Sequence, residues 1–272
     1  MKKINVCILG ATGRMGKSLI QLIFDSDEFK LISAYHKPSS QFIGYDVSEF
    51  VGLPKTGVLI SDELEKCIDL SDIVIDFSFP STSISAALYA AESAKPFVLG
   101  TTGFNSQETN QLKLISKLLP ILHSGNMGFG INIITTLCEY ASNLLDSSWD
   151  IEILEMHHKF KKDAPSGTAI MLGNSVAKGR GVNIDNVSRY SRINSISPRV
   201  EGEIGFSVLR GGGVVGDHTV IFTNMDERIE ISHKAFNRDF FAKGALIAAK
   251  WLVNQPPGFY DMQDVLKSTG KL

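Results

Sequence analysis

Cysteine is scarce: Cys7, Cys67 and Cys138 are the only three in 272 residues, odd in number and far apart. That excludes a disulfide framework and matches no metal-ligand spacing, so a reducing, cytoplasmic compartment and no resident metal are expected. Excess charge is also missing. With 27 Lys and Arg against 29 Asp and Glu, the formal charge of −2 excludes nucleic-acid binding by bulk electrostatics. No apolar run approaches the roughly 18 residues of a membrane span. The basic start, Met1-Lys2-Lys3, passes through a brief apolar stretch into GATGRMG rather than a secretory cleavage site. Repeats, low-complexity tracts and long charge runs are absent as well. What remains is a soluble globular chain, 43% apolar and 21% charged, long enough for one large or two modest domains.

Ile4–Leu9 is a compact apolar run that reads as a buried strand. It leads into Gly10-Ala11-Thr12-Gly13-Arg14-Met15-Gly16, after which Leu19, Ile20, Leu22 and Ile23 recur at helical spacing. Strand, glycine-rich turn and helix form the context in which a dinucleotide pyrophosphate rests on backbone amides, because a Cβ would block its approach. The spacing is GxxGxxG rather than GxGxxG, so a tight turn without a ligand stays open as the alternative. A second strand over Lys30–Tyr35 ends at His36 and Lys37, where an acidic residue would accept the ribose hydroxyls of NAD. This cationic end either suits the extra phosphate of NADP or carries incidental surface charge.

Strands are next expected over Asp72–Ser78, Pro96–Gly100 and Ile121–Ser124. They alternate with helices over Asp62–Cys67, Pro80–Ala94 and Ser106–Lys117. The alternation predicts an α/β unit, a Rossmann-like doubly wound parallel sheet with its ligand crevice at the strand ends Asp76–Ser78 and Gly100–Gly103. Asp76 either faces that crevice or holds the following turn. Gly125–Gly130 reads as a hinge, in which Asn126 holds a turn or touches a nicotinamide amide.

The densest chemistry lies in EMHHKFKKDAPSGTAIML, Glu155–Leu172, after a short strand at Ile151–Leu154. His157 or His158 is a proton donor and acceptor near neutral pH. Lys159, Lys161 and Lys162 make a local positive field that Glu155 and Asp163 offset only in part. Ser166-Gly167-Thr168 opens a helix whose first amides suit a carboxylate or phosphate. Together they describe a socket for a small anion beside a proton donor. A capped helix after a solvated basic strand end is the bland alternative.

A helix over Ile131–Leu145 precedes this segment, and one over Ser166–Ala177 follows. Lys178–Arg199 lacks periodicity and reads as a mobile loop. Its Arg180, Arg189, Arg192 and Arg199 either help to hold an anion or are solvated. Strands over Glu203–Arg210, Val214–Thr223 and Arg228–Lys234, joined by short connections, predict an antiparallel meander. His218 and His233 read as strand residues rather than ligands. An apolar helix over Phe240–Leu252 and a short one from Asp261 close the chain. The second half is thus an α+β domain with a mixed or antiparallel sheet, whose uncovered face favours an oligomer.

With these residues assembled, the chain resembles the 4-hydroxy-tetrahydrodipicolinate reductase family, formerly called dihydrodipicolinate reductases, of bacterial lysine and diaminopimelate synthesis. The similarity runs end to end. GATGRMG and Gly100-Thr101-Thr102-Gly103-Phe104 look like the family's two cofactor loops, and EMHHKFKKDAPSGTA like its long substrate signature. EIGFSVLRGGGVVGDHTVIF and ERIEISHKA are similar to its C-terminal strands.

The resemblance implies NAD(P)H-dependent reduction of 4-hydroxy-tetrahydrodipicolinate, a small dicarboxylate, with loss of water and hydride delivery to C4. His157 is then the catalytic proton donor, Lys161 a second proton-donating group and His158 a substrate contact. Gly167 and Thr168 bind a substrate carboxylate. Gly10, Ala11, Thr12, Gly13, Arg14, Met15, His36, Lys37, Gly100, Thr101, Thr102, Ser124, Gly125, Asn126 and Met127 line a site for NADPH, with NADH use open. Residues 1–127 and 239–272 are expected to form the dinucleotide-binding domain, and 128–238 the domain for substrate binding and homotetramer assembly. The chain departs from the family pattern at two positions. His36 stands where many relatives carry an acidic residue, and Gly128 where serine is frequent.

Overall fold

The computed structural model describes residues 2–193 and 195–270. Met1, Asn194, Lys271 and Leu272, which fall within the expected domains and the expected 178–199 loop, lie outside the described residues. In chain order the elements are β1 (Ile4–Leu9), α1 (Arg14–Phe24), β2 (Phe29–Tyr35), β3 (Ile60–Ser61), α2 (Leu64–Asp69), β4 (Ile73–Asp76), α3 (Pro80–Glu92), β5 (Phe97–Leu99), α4 (Ser106–Ile115) and β6 (Pro120–His123). They continue as α5 (Phe129–Leu144), β7 (Asp150–His157), α6 (Gly167–Arg180), α7 (Ile184–Val187), β8 (Ser188–Arg189), β9 (Ile204–Arg210), β10 (Gly216–Thr223), β11 (Arg228–Ala235), α8 (Asp239–Leu252), β12 (Gly258–Tyr260) and α9 (Met262–Lys267). None of these helices is long and apolar enough to cross a membrane. The chain divides into two compact units, Met1–Phe129 with Asp239–Leu272, and Gly130–Arg238.

The first unit is a parallel sheet in the order β12-β6-β5-β4-β1-β2-β3, doubly wound about the β1/β4 switch point. Its strands are buried on both faces, which is why β1 reads as an unbroken apolar run. Val6 and Ile8 pack with α1, α8 and α9, whereas Cys7 and Leu9 pack with α2, α3 and α4. Each fully buried Ile or Leu contributes about 1.5–3 kcal/mol relative to its exposed state. Strand β12 was not anticipated after Pro256-Pro257; three residues are too few to show a period of two.

The second unit is a five-stranded mixed sheet in the order β11-β10-β7-β9-β8. Here the structure corrects the expected meander. Strands β9 and β10 are not neighbours: β7 lies between them, parallel to β9 and antiparallel to β10. The Gly-rich stretch between β9 and β10 spans two strand spacings, about 10 Å, which five residues cover easily. One face of the sheet is covered by α5 and α6, which bury Ile151, Ile153, Ile204, Phe206, Val220 and Phe222.

The expected 178–199 loop is also partly ordered, containing α7 and β8. Its arginines reach groups of the protein itself, and Arg189 and Arg192 remain exposed as the solvated reading has them. Arg189 and Arg192 pair with Glu203 (2.9 and 3.4 Å), and Arg192 also with Glu152 (2.8 Å). Arg199 joins Asp150 (2.7 Å) and Glu152 (2.5 Å), while Arg180 donates to the carbonyl of Trp149. Asp150 and Glu152 on β7, and Glu203 just before β9, take the place of an external anion.

Candidate active site

In a parallel sheet all strands end on one edge, and the expected cofactor residues of the first unit follow those ends. Gly10 has φ +80°, and a Cβ there would lie 2.5 Å from the carbonyl oxygen of Phe77, so only glycine fits. A Cβ on Gly16 would lie 2.5 Å from the Ala11 carbonyl oxygen. Gly13 is the N-cap of α1 and supplies no side-chain hydrogen bond, so the first amides of the helix are left for a ligand. Ala11 is in the core and Met15 packs against it, so both offer backbone rather than side chain; Thr12 is half-buried and Arg14 exposed.

Beside this turn, Gly10, Tyr35, His36, Lys37, Ser78, Phe79 and Thr82 line a small cavity. His36 Nδ1 and Ser78 Oγ are buried there without a hydrogen-bond partner. Lys37 Nζ sits 5.9 Å above the Phe79 ring. No carboxylate belongs to this lining. Glycines that exclude a Cβ and two orphaned polar atoms fit a dinucleotide.

The remaining loops are held more tightly. Thr101 is buried and its Oγ1 accepts from Ser78 N at 2.9 Å, while Thr102 is exposed. Gly100 faces the Phe77 ring, where a Cβ would collide. Ser124 Oγ donates to the Asn126 carbonyl (2.8 Å), and Asn126 Oδ1 accepts from Gly128 N (2.9 Å), so Asn126 holds the turn. Gly125 is exposed, whereas Met127 is buried in the core and presents only backbone. Asp76, fully buried, accepts from Ser78 N (2.8 Å) and from Ser83 Oγ. It too holds a turn, and burial pushes its carboxyl up to about 6.

In the second unit the sheet face under α5 and α6 changes character along its length. Along β7, Ile151 and Ile153 face inward, and the period of two carries Glu155 and His157 to the same face. On β10, His218 lies opposite Glu155 and faces the same way, and on β9 Arg210 lies opposite His157. An apolar sheet face thus ends in a polar cluster at the start of α6.

The cluster is densely connected. Glu155 is 1% exposed. Its Oε1 accepts from Ser166 N (3.0 Å) and Arg210 Nη2 (3.1 Å). Its Oε2 lies 3.2 Å from His157 Nδ1 and 3.6 Å from His218 Nε2, at ion-pair range without hydrogen-bond alignment. Ser166 Oγ is 3.1 Å from His218 Nε2 and caps α6 by accepting from Ala169 N at 3.1 Å. Burial would raise the Glu155 carboxyl, but its contacts with His218, Ser166 and Arg210 outweigh that and hold it near about 2. His157 is lowered to about 4: burial, His218, Lys161 and Arg210 disfavour its charge, and Glu155 only partly compensates. Glu155, His157 and His218 bring three metal-ligand atoms within 4.8 Å of one another. Arg210 already pairs with that carboxylate, so a divalent cation would meet a fixed positive charge.

The other expected residues lie at the mouth of the cluster. Lys161 Nζ is chelated by both oxygens of Asp163 (2.9 and 2.8 Å), and its N–H donates to the His158 carbonyl (3.1 Å). His158 Nε2 lies 3.3 Å from Arg238 Nη2. Gly167 and Thr168 form the first turn of α6; Gly167 is exposed, with open space where a Cβ would be.

The family profile "Dihydrodipicolinate reductase, N-terminus" matches residues 4–127, and "Dihydrodipicolinate reductase, C-terminus" matches residues 130–266. The chain belongs to the dihydrodipicolinate reductase family. Curated members named 4-hydroxy-tetrahydrodipicolinate reductase are similar over nearly the whole chain. The one from Rhizobium rhizogenes is 45% identical, covering 97% of this chain and 96% of its own; that from Hahella chejuensis is 41% identical, covering 96% and 98%. A solved dihydrodipicolinate reductase of the same family, from Paenisporosarcina sp. TG-14 and bound to dipicolinate, shares the fold. It gives a TM-score of 0.75 at 22% identity, over 96% of this chain and 98% of that one.

Within this family fold, the structure gathers His157, His158, Lys161, Gly167 and Thr168 on one segment of the second unit. Three groups escaped sequence reasoning. Glu155 was read only as offsetting charge, His218 as a strand residue, and Arg210 went unremarked. The inward alternation Ile151, Ile153, Glu155, His157 was the available signal for the first. The other two are brought in by strand pairing.

Proposed function

We propose that this chain reduces 4-hydroxy-tetrahydrodipicolinate to tetrahydrodipicolinate and water, with NAD(P)H as reductant. The carrying observation is His157 in a polar cluster beside the Ser166-capped start of α6, on a chain of this family. The nicotinamide cofactor supplies a hydride when bound. The amides of the first turn of α1 would hold its pyrophosphate.

On the substrate side, the amides of Gly167 and Thr168, the charge of Lys161 and the imidazole of His158 suit a small dicarboxylate. Loss of water from substrate leaves a conjugated imine that accepts hydride at C4, and the neighbouring carbon then needs a proton. His157 donates it, and Lys161 serves as the second proton source. Burial keeps His157 neutral at pH 7, and two arriving carboxylates favour its protonated form. Positioning and the fixed positive field supply most of the acceleration.

His36 and Lys37, with no carboxylate in their cavity, favour NADPH over NADH. The outer face of the five-stranded sheet, with Leu154, Met156, Leu209 and Ile221 only partly covered, is the surface for a homotetramer. Cysteine usage assigns the protein to the cytoplasm.

The test is oxidation of NADPH, and separately NADH, by the purified protein. Substrate is generated in place from pyruvate and aspartate semialdehyde by a synthase. Turnover that requires the synthase product and collapses in His157→Gln is expected. No turnover with either coenzyme, despite intact cofactor binding, would overturn the assignment.

A further inference from the structure

His157 is confined on several sides. Its ring lies against His218 with centroids 5.0 Å apart and planes at 75°, and a Cβ on Gly216 would come 3.1 Å from Nε2. Its Nδ1 is buried, and the nearest acceptor is Glu155 Oε2 at 3.2 Å. At 3.2 Å the negative charge of the carboxylate repels a lone pair on Nδ1 and favours an N–H dipole there even without hydrogen-bond alignment, so the neutral ring carries its proton on Nδ1. Nε2 is then the nitrogen that gains and gives a proton.

Glu155 is itself fixed. Ser166 N and Arg210 hold Oε1, which leaves Oε2 to the two imidazoles. His218 faces the same oxygen at 3.6 Å. The groups facing His157 are therefore Glu155 on its own strand, His218 on β10, Arg210 on β9 and Lys161 in the following loop.

We propose that Glu155 is the positioning residue of His157. Its buried carboxylate sets the resting proton on Nδ1 and stabilises the imidazolium from which Nε2 delivers a proton to substrate. This deepens the reductase reading and rests on it.

The test combines Glu155→Gln, Glu155→Asp and His157→Gln with ¹⁵N NMR of the histidines in the unaltered protein. His157 is assigned by the signals missing in His157→Gln. Neutral His157 is expected as the Nδ1–H tautomer, the minor form in water. Glu155→Gln should lower kcat at least about tenfold with KM little changed. It should also move the alkaline limb of the kcat–pH profile to lower pH, because an anion that favours the protonated ring is gone. Glu155→Asp should move the limb back toward its original position.

A folded Glu155→Gln protein with unchanged kcat and pH profile, alongside an inactive His157→Gln, overturns this inference and leaves the reductase reading intact. Should Glu155→Gln fail to fold, the tautomer decides alone, and an Nε2–H ring overturns the proposal. Full activity in His157→Gln would remove both readings.

Discussion

Two buried carboxylates end inner strands of the two units, and they behave oppositely. Asp76 closes β4 of the parallel sheet, and Glu155 lies near the end of β7 in the mixed sheet. Both are almost fully buried, and both accept a backbone N–H and lie near a serine of the following helix start or turn. Yet Asp76 is pushed up to about 6 and Glu155 held down at about 2. Burial raises both; at Glu155 the contacts with His218, Ser166 and Arg210 outweigh it, whereas at Asp76 the serine hydroxyls and the Ser78 amide do not. Arg210 and two imidazoles surround Glu155, whereas Asp76 has hydroxyls and amides alone. A hydroxyl pair holds a turn, whereas a charged cluster builds a field in which a proton can be moved.

The contrast breaks most visibly at the proton donor. His157→Gln should lower kcat by about 10²–10⁴, with cofactor affinity, read by fluorescence titration, unchanged. Next is the cation. Arg210→Met leaves Glu155 buried without its guanidinium and should cost about 3 kcal/mol in denaturant unfolding.

Acid sharpens the comparison by sign. Glu155 is depressed when folded, so its stabilisation is present above its unfolded value and is lost as pH falls toward about 2. His157 acts in the same direction: its folded value, about 4, lies below the unfolded one, so stability is lost as pH falls from about 6.5 to 4. Asp76 is raised, so its contribution is present at low pH and is lost as pH rises through about 6. Unfolding curves from pH 7.5 to 4 should therefore lose stability less steeply in His157→Gln, and more steeply in Asp76→Asn, than in the unaltered protein. The smallest effect is at Ser83, whose hydroxyl donates to Asp76. Ser83→Ala should cost about 1–2 kcal/mol at pH 7.5, and less at pH 5, where Asp76 is protonated.

Much of this was legible locally. Ile4–Leu9, the glycine turn and the start of α1 fall where apolar periodicity and small residues put them, and β1 keeps those limits. Ser166 caps α6 as its Ser-Gly-Thr context suggested. Met127 and Ala11 were assigned to a site by position in a motif, yet their side chains fill the core. A motif specifies which backbone approaches a ligand without saying where each side chain turns.

By itself, the sequence determined what depends on near neighbours: strand and helix placement in the first unit, the capped turn at Ser166, and the density of His and Lys between 157 and 162. Only the tertiary structure decided that β7 lies between β9 and β10, that β12 completes the parallel sheet, and that His218 and Arg210 close around Glu155. Periodicity along one strand tells which face a side chain takes. Which strands lie alongside is set by burying whole faces at once, and that partner choice turned an isolated glutamate into the centre of a charged cluster.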